Sequence, residues 1–134
     1  MSQVRDAMVS EPGTLESDAS AKDAGERLSD PAVRAVLVCD DGRFVGVITR
    51  KTLVEHVVAT GRDPNATTVG EIAERPLFTL EASLDLDDAF HALEERDLER
   101  VPVVEDGRLV GVLSRTIVQR RLAEDEPPVA DEPF

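Results

Sequence analysis

The chain has 134 residues, 41% of them hydrophobic, which fits one ordinary domain or two small units sharing a core and argues against disorder of the whole. With 28 acids against 15 bases the formal net charge is −13, a balance that repels phosphate backbones and anionic membranes. Aromatic residues make up only 3%, so the core must be aliphatic and the stacking side chains used by single-stranded nucleic-acid binders are scarce; with the charge, this makes nucleic acid a poor partner, and the charge alone makes an anionic membrane one.

In chain order, Val4-Arg5-Asp6-Ala7-Met8 predicts one short helical turn halted near Pro12, and Thr14-Leu15 a short extended segment. Ser20 opens a helix with Asp23 three residues on, so that the cap satisfies an orphan amide at the helix start. Ala21, Ala24, Gly25 and Leu28 fall at i, i+3, i+4 and i+7 and give that helix one buried stripe. Two strands follow, Ala35 to Cys39 and Phe44 to Ile48, joined by a turn built on Asp41-Gly42. Cys39 is the single cysteine, which precludes an intrachain disulfide, and its apolar setting marks it as a small core residue. A closing helix is expected from about Arg50 to Thr60. The stretch 61–68, rich in turn residues and without periodicity, is a connector.

The pattern then begins again. Asp41-Gly42-Arg43-Phe44-Val45-Gly46-Val47-Ile48-Thr49-Arg50 returns as Asp106-Gly107-Arg108-Leu109-Val110-Gly111-Val112-Leu113-Ser114-Arg115, 65 positions later (106 − 41 = 65). At the same offset Val4 matches Val69, Thr14-Leu15 match Thr79-Leu80, Ala24 and Leu28 match Ala89 and Leu93, and Val36 and Val38 match Val101 and Val103. Leu53 and Val57 match Val118 and Leu122, and Pro12 and Pro76, 64 apart, mark one residue of slippage in a loop. The second copy therefore predicts a helical turn at Val69-Gly70-Glu71-Ile72-Ala73 and an extended Phe78-Thr79-Leu80. Its first helix is capped by Asp85 with Asp88 and striped by Leu86, Ala89, Phe90 and Leu93. Its strands run from Val101 to Val104 and from Arg108 to Leu113, and its closing helix from Arg115 to Ala123. Pro102 suits the first residues of a strand or an edge, not the middle of a ladder.

Two copies of one unit, 4–60 and 69–123, thus account for nearly all of the chain. Each reads β-α-β-β-α with a helical lead-in, an α/β unit whose small sheet carries two helices on one face. Such a unit is marginal alone, and packing the two copies sheet to sheet would cover the face left bare. Residues 124–134 hold five acids, three prolines and no base, the composition of a disordered acidic tail. No basic start followed by an apolar segment marks a signal peptide, and no apolar run approaches the ~20 residues of a membrane span, so a reducing cytoplasm is the expected setting.

Chemistry concentrates where each last strand meets its closing helix. Thr49-Arg50 and Ser114-Arg115 put a hydroxyl and a guanidinium at the positive end of a helix, where they can seat an anion. The competing reading of Thr49 and Ser114 is plain N-capping, which by itself stabilises a helix by about 1 kcal/mol. His56 and His91 lie on different helices without Cys or acid neighbours at metal-ligand spacing; they are expected to face solvent, and no metal site is expected. No nucleophile stands with a base and an orienting group, and no Gly-rich phosphate loop is present, so the chain is not expected to be an enzyme.

These motifs resemble the cystathionine-β-synthase (CBS) domain, and the chain from about 4 to 123 is similar to a stand-alone bacterial CBS pair, or Bateman module. The resemblance is carried by Val4-Arg5-Asp6-Ala7-Met8 and Val69-Gly70-Glu71-Ile72, by Thr14-Leu15 and Thr79-Leu80, and by Arg100-Val101-Pro102-Val103-Val104-Glu105-Asp106-Gly107. The endings Gly46-Val47-Ile48-Thr49-Arg50 and Gly111-Val112-Leu113-Ser114-Arg115 complete it. It implies a pseudo-twofold axis between the units, homodimers, and clefts between the units that take adenosine-containing ligands such as AMP, ADP, ATP or S-adenosylmethionine. It further implies ligand contacts at Thr14, Arg34, Thr49, Arg50, Thr52, Thr79, Arg100, Pro102, Ser114 and Arg115. The sequence departs from the family at one point in both copies: where an Asp is expected to hold the ribose hydroxyls, Thr52 and Ile117 stand instead. The implied function is a regulatory, non-catalytic module that binds an adenosyl ligand and modulates association with an unidentified regulated protein. The alternative is a dimerising interaction module whose clefts are vestigial.

Overall fold

The computed structural model describes residues 2–10, 12–76 and 78–125. Its elements in order are α1 (Val4–Ala7), β1 (Val9–Ser10), β2 (Thr14–Glu16), α2 (Ala21–Leu28), β3 (Val36–Asp40), β4 (Arg43–Ile48) and α3 (Arg50–Leu53), which runs on as a π-helical turn over Val54–Val58. There follow α4 (Val69–Ile72), β5 (Leu80–Glu81), α5 (Leu86–Glu95), β6 (Arg100–Glu105), β7 (Arg108–Ser114) and α6 (Arg115–Asp125). The fold is mixed α/β, and each repeat shows the expected β-α-β-β-α order behind a short helical lead-in, with one strand, β1, added after the first lead-in and not expected from the sequence.

The chain divides into two compact bodies, and the division does not follow the repeat. One body holds Glu11–Phe78 and Asp106–Leu109; the other holds Met1–Ser10, Thr79–Glu105 and Val110–Phe134. Each lead-in helix is therefore counted with the opposite repeat. In the first body, α4 is held by Val69 N donating to Ala19 O at 2.8 Å and Gly70 N donating to Ser17 O at 2.9 Å. In the second, α1 is held by Val4 N donating to Leu84 O at 2.8 Å and Arg5 N donating to Ala82 O at 3.0 Å. The two pairs of bonds are the same pair displaced by 65 residues.

Within the first body β2 pairs parallel with β3, as Thr14↔Leu37 and Leu15↔Val38, and β3 pairs antiparallel with β4, from Val36↔Ile48 to Asp40↔Arg43. The hairpin closes on Asp41 (φ 51°) and Gly42 (φ 85°), two successive positive φ values that match the twist of the flanking strands. Asp106 (φ 55°) and Gly107 (φ 77°) repeat that turn, and its tip lies in the first body, where Phe44 N donates to Gly107 O and Leu109 N to Gly42 O, each at 3.2 Å. In the core the predicted stripe of α2, Ala21, Ala24 and Leu28, packs with Val36, Val38, Ile48 and Val57, and with Val69 and Ile72 of α4, which the sequence repeat assigns to the other unit. Aliphatic burial of this kind yields about 1.5–3 kcal/mol per large side chain.

In the second body β5 pairs parallel with β6 as Leu80↔Val103 and Glu81↔Val104, β6 neighbours β7, and β1 lies antiparallel on β7 as Val9↔Val112 and Ser10↔Gly111. Leu86, Ala89 and Leu93 of α5 are buried, with Leu80, Val101, Val103, Leu113, Val118 and, from the lead-in, Val4. Pro102 sits third in β6 and is tolerated because the ladder to β5 begins only at Val103.

Three details differ from expectation. The segment 78–80 is extended only from Leu80, so Phe78 and Thr79 precede β5. Asp85 caps α5 through Asp87 N at 3.2 Å rather than through Asp88, a bond two residues ahead that a carboxylate can close and that the Ser20 hydroxyl, bonded to Asp23 N at 3.1 Å, does not make. The first closing helix changes to π after Leu53, with Ala59 N donating to Val54 O at 2.8 Å, which leaves Val57 inward and Val54 and Val58 exposed. Glu124 and Asp125 close α6; the remainder of the acidic tail lies outside the described residues.

Cys39 is buried in β3, as its apolar setting predicts. Burial pushes its thiol pKa up, and the Glu16 carboxylate adds to this against a smaller opposing pull from Arg108. A raised pKa keeps the thiol protonated, and the thiolate is the reactive form. Cys39 is accordingly expected to resist a thiol-specific reagent at pH 8 in the native protein and to react at the rate of a free thiol after denaturation, followed by absorbance of the released product.

Candidate functional site

Strand direction collects the predicted site residues at one end of each sheet. In the first body the N-terminal ends of parallel β2 and β3 meet the C-terminal end of antiparallel β4, since Thr14 pairs with Leu37 and Val36 with Ile48. Thr14, Arg34, Thr49, Arg50 and Thr52 all belong to that end. In the second body Arg115 N donates to Glu99 O at 2.8 Å, fixing the end of β7 beside the start of β6. Thr79, Arg100, Pro102, Ser114 and Arg115 are gathered there.

The hydroxyls at the two helix starts are occupied by the fold. Thr49 is the N-cap of α3: its Oγ1 accepts from Thr52 N at 3.2 Å, Thr52 Oγ1 accepts from Thr49 N at 3.0 Å, and the two oxygens stand 3.0 Å apart. This is a capping box made of two threonines. Thr52, at the position from which a ribose hydrogen bond was expected, is only 1% exposed. In the second body Ser114 Oγ accepts from Ile117 N at 3.1 Å, and Ile117 brings an exposed aliphatic chain to the corresponding place. Thr49→Ala should cost about 1 kcal/mol of stability, read as a shift in denaturation midpoint at unchanged m-value.

The arginines fall into two classes. Arg50 Nη2 donates to Asp30 O at 3.0 Å and to Val33 O at 2.8 Å, clamping the loop between α2 and β3. Arg115 is engaged by acids, with Nη2 3.1 Å from Glu99 Oε2 and Nη1 3.5 Å from Asp97 Oδ1, while Thr116 Oγ1 donates to Glu99 Oε1 at 3.0 Å. The anion seat expected at Arg115 thus already holds protein carboxylates. Arg34 and Arg100 are exposed, and among the described residues neither has a hydrogen-bond or ion-pair partner. They are the cations at the two sheet ends that remain available to a ligand. The side chains of Thr14 and Thr79 are half-buried, and Arg27 Nη1 donates to Thr14 O at 2.9 Å.

A family model for the CBS domain matches residues 4–59 and again 69–124. The chain belongs to the CBS domain family. It is 31% identical to hypoxic response protein 1 of Mycobacterium tuberculosis over 102 residues, 75% of this chain and 71% of that protein. Among solved CBS proteins it is similar to hypoxic response protein I with two coordinated zinc ions, at a TM-score of 0.76 and 27% identity, covering 90% of this chain and 99% of the other. It is also similar to CBSX2 in complex with AMP, at a TM-score of 0.72 and 26% identity, covering 92% and 98%. No helix among the described residues is long and apolar enough to cross a membrane.

One grouping escaped the reading of the CBS repeats. His56 and His91 are both exposed, as expected, but His56 is not isolated: Glu55 lies beside it and Glu74 approaches from after α4. No spacing signal announces a partner 18 residues away in an unrelated element.

Proposed function

We propose that the chain is a regulatory, non-catalytic module that takes an adenosine-containing anion, AMP, ADP or ATP or the related S-adenosylmethionine, at the strand-to-helix ends of its CBS repeats, and that the ligand alters its association with a partner protein. The observation that carries this reading is Arg100. It is an exposed guanidinium with no protein partner among the described residues, beside a capped helix start, in a chain whose acids outnumber its bases almost twofold. The AMP complex of CBSX2, a relative at 26% identity, makes AMP the first ligand to try. A ligand changes association only to the extent that it binds the free and associated states differently, so nucleotide affinity and partner affinity must shift by the same factor. Val54 and Val58, exposed on one closing helix, and Ile117 on the other support a homodimer. A cytoplasmic setting accords with the acidic surface and the lone reduced cysteine.

Thr52 and Ile117 favour a second reading. With one hydroxyl spent in a capping box and the other position aliphatic, neither body offers the ribose acceptor of the family pattern at that place. In that case the chain is a dimerising interaction module without a ligand. Calorimetric titration with AMP, ADP, ATP and S-adenosylmethionine decides between them. Saturable heat with any one supports the first reading, and none at millimolar concentration, with a dimer in light scattering, supports the second.

A further inference from the structure

Glu55, His56 and Glu74 converge in the first body. His56 Nε2 lies 3.6 Å from Glu74 Oε1 and 4.0 Å from Glu55 Oε2, and one potential ligand atom from each of the three residues falls within 4.8 Å of the others. Two ligands each about 2.1 Å from a tetrahedral ion stand about 3.4 Å apart, so the imidazole and Glu74 are already near the required separation. The remaining gap to Glu55 closes by rotation of an exposed side chain.

The supports are fixed by the backbone. Glu55 and His56 project from the π turn, whose wide bond from Ala59 N to Val54 O departs from the helix that precedes it; single π turns of this kind frequently occur at functional sites. Glu74 is pinned to β4 through a reciprocal pair, Val47 N donating to Glu74 O at 2.8 Å and Glu74 N donating to Val47 O at 2.9 Å. Lys51 Nζ engages the other carboxylate oxygen of Glu55, Oε1, at 3.6 Å, leaving Oε2 turned toward His56. Among the described residues Glu74 meets no lysine or arginine, and its ion-pair partner is His56.

We propose that Glu55, His56 and Glu74 form a surface site for one divalent first-row transition ion, with zinc as the expected occupant. One imidazole and two carboxylates are donors that suit zinc or cobalt, whereas calcium calls for six to eight oxygens and magnesium for a near-ideal octahedron that retains its waters. Three protein ligands leave a position for water. Bound metal would tie the end of the first closing helix to the segment that follows α4, both within one body. This site shares no residue with the proposed nucleotide contacts and is proposed independently of nucleotide binding.

The test is titration of the full-length, chelator-treated protein with zinc chloride by calorimetry, and with cobalt chloride followed by visible absorbance. One equivalent is expected to bind saturably and raise the melting temperature, with reversal by EDTA and no competition from equimolar magnesium or calcium. His56→Ala and Glu74→Gln should each weaken zinc binding at least tenfold, while His91→Ala binds as the parent does. All three substituted side chains are exposed, so the variants are expected to fold, which circular dichroism checks. Absence of saturable binding overturns the proposal, as does binding that survives His56→Ala unchanged. Nucleotide titration of His56→Ala, expected to match the parent, keeps the outcome distinct from that of the proposed nucleotide function.

Discussion

Gly46→Ala is expected to lower the melting temperature by about 10 °C, the equivalent of roughly 3 kcal/mol at the upper end of overpacking costs. A Cβ added at Gly46 would lie 2.8 Å from Glu74 O and 3.0 Å from Ala73 Cβ. The first of these is backbone held in the reciprocal bond with Val47, so it cannot yield without breaking that bridge. Gly111→Ala is expected to act in the same direction and somewhat less. There the nearest atom, at 2.6 Å, is Met8 Sδ at the end of a flexible chain, although Val9 O also stands at 2.8 Å. The control is Gly13→Ala, whose Cβ would meet, among the described residues, only Arg27 Nη1 at 3.8 Å; it should be neutral or stabilise by about 0.4–1 kcal/mol through the unfolded chain. Calorimetric melting of the three variants measures the effect. A Gly46→Ala protein that melts with the parent would show that the segment after α4 does not cross β4 as described.

The second large effect concerns Arg100. Arg100→Ala should weaken nucleotide binding at least tenfold, about 1.4 kcal/mol, with an unchanged melting temperature for the free protein. Stability is spared because the side chain is exposed and touches no described polar group. Affinity is lost because a charge-assisted bond to phosphate is removed where Arg115, already bound to Glu99 and Asp97, is poorly placed to substitute. Raising salt should erode parent affinity and narrow the gap between the two proteins, since an exposed cation is screened. Arg50→Ala should behave oppositely, costing stability before affinity, because its donors hold Asp30 O and Val33 O. Equal nucleotide affinity in parent and Arg100→Ala, measured by calorimetry, would remove Arg100 from the site.

Much of the local structure was legible because it is local. The Asp41-Gly42 and Asp106-Gly107 turns, the stripe of Ala21, Ala24 and Leu28, and the caps at Ser20, Thr49 and Ser114 follow from side chains within a few residues of each other. The candidate site was legible only as a set of positions. Which arginines stay free was not, because the partners of Arg50 and Arg115 lie 16 to 20 residues away in sequence. Thr52 illustrates the same limit: its type suggested an available hydroxyl, and only its burial against the N-cap shows that hydroxyl engaged.

What the sequence determined by itself was the unit, its repetition at an offset of 65, and the family to which it belongs; hydrophobic period and turn chemistry repeat in both copies, and a capping residue stands at each corresponding helix start. What the tertiary structure alone decided was the destination of the lead-in helices. Val69 and Gly70 bond to Ala19 and Ser17, and Val4 and Arg5 to Leu84 and Ala82, so each short helix completes the body of the other repeat. The same exchange explains Gly46 and Gly111, which appear in sequence as interruptions of a strand and prove to be the points where the segments after α4 and α1 cross. The physical reason is that the pattern of a four-residue helix records which face is apolar but not which of two nearly identical surfaces will cover it. Only backbone donors meeting their acceptors across 50 to 80 residues of chain make that choice.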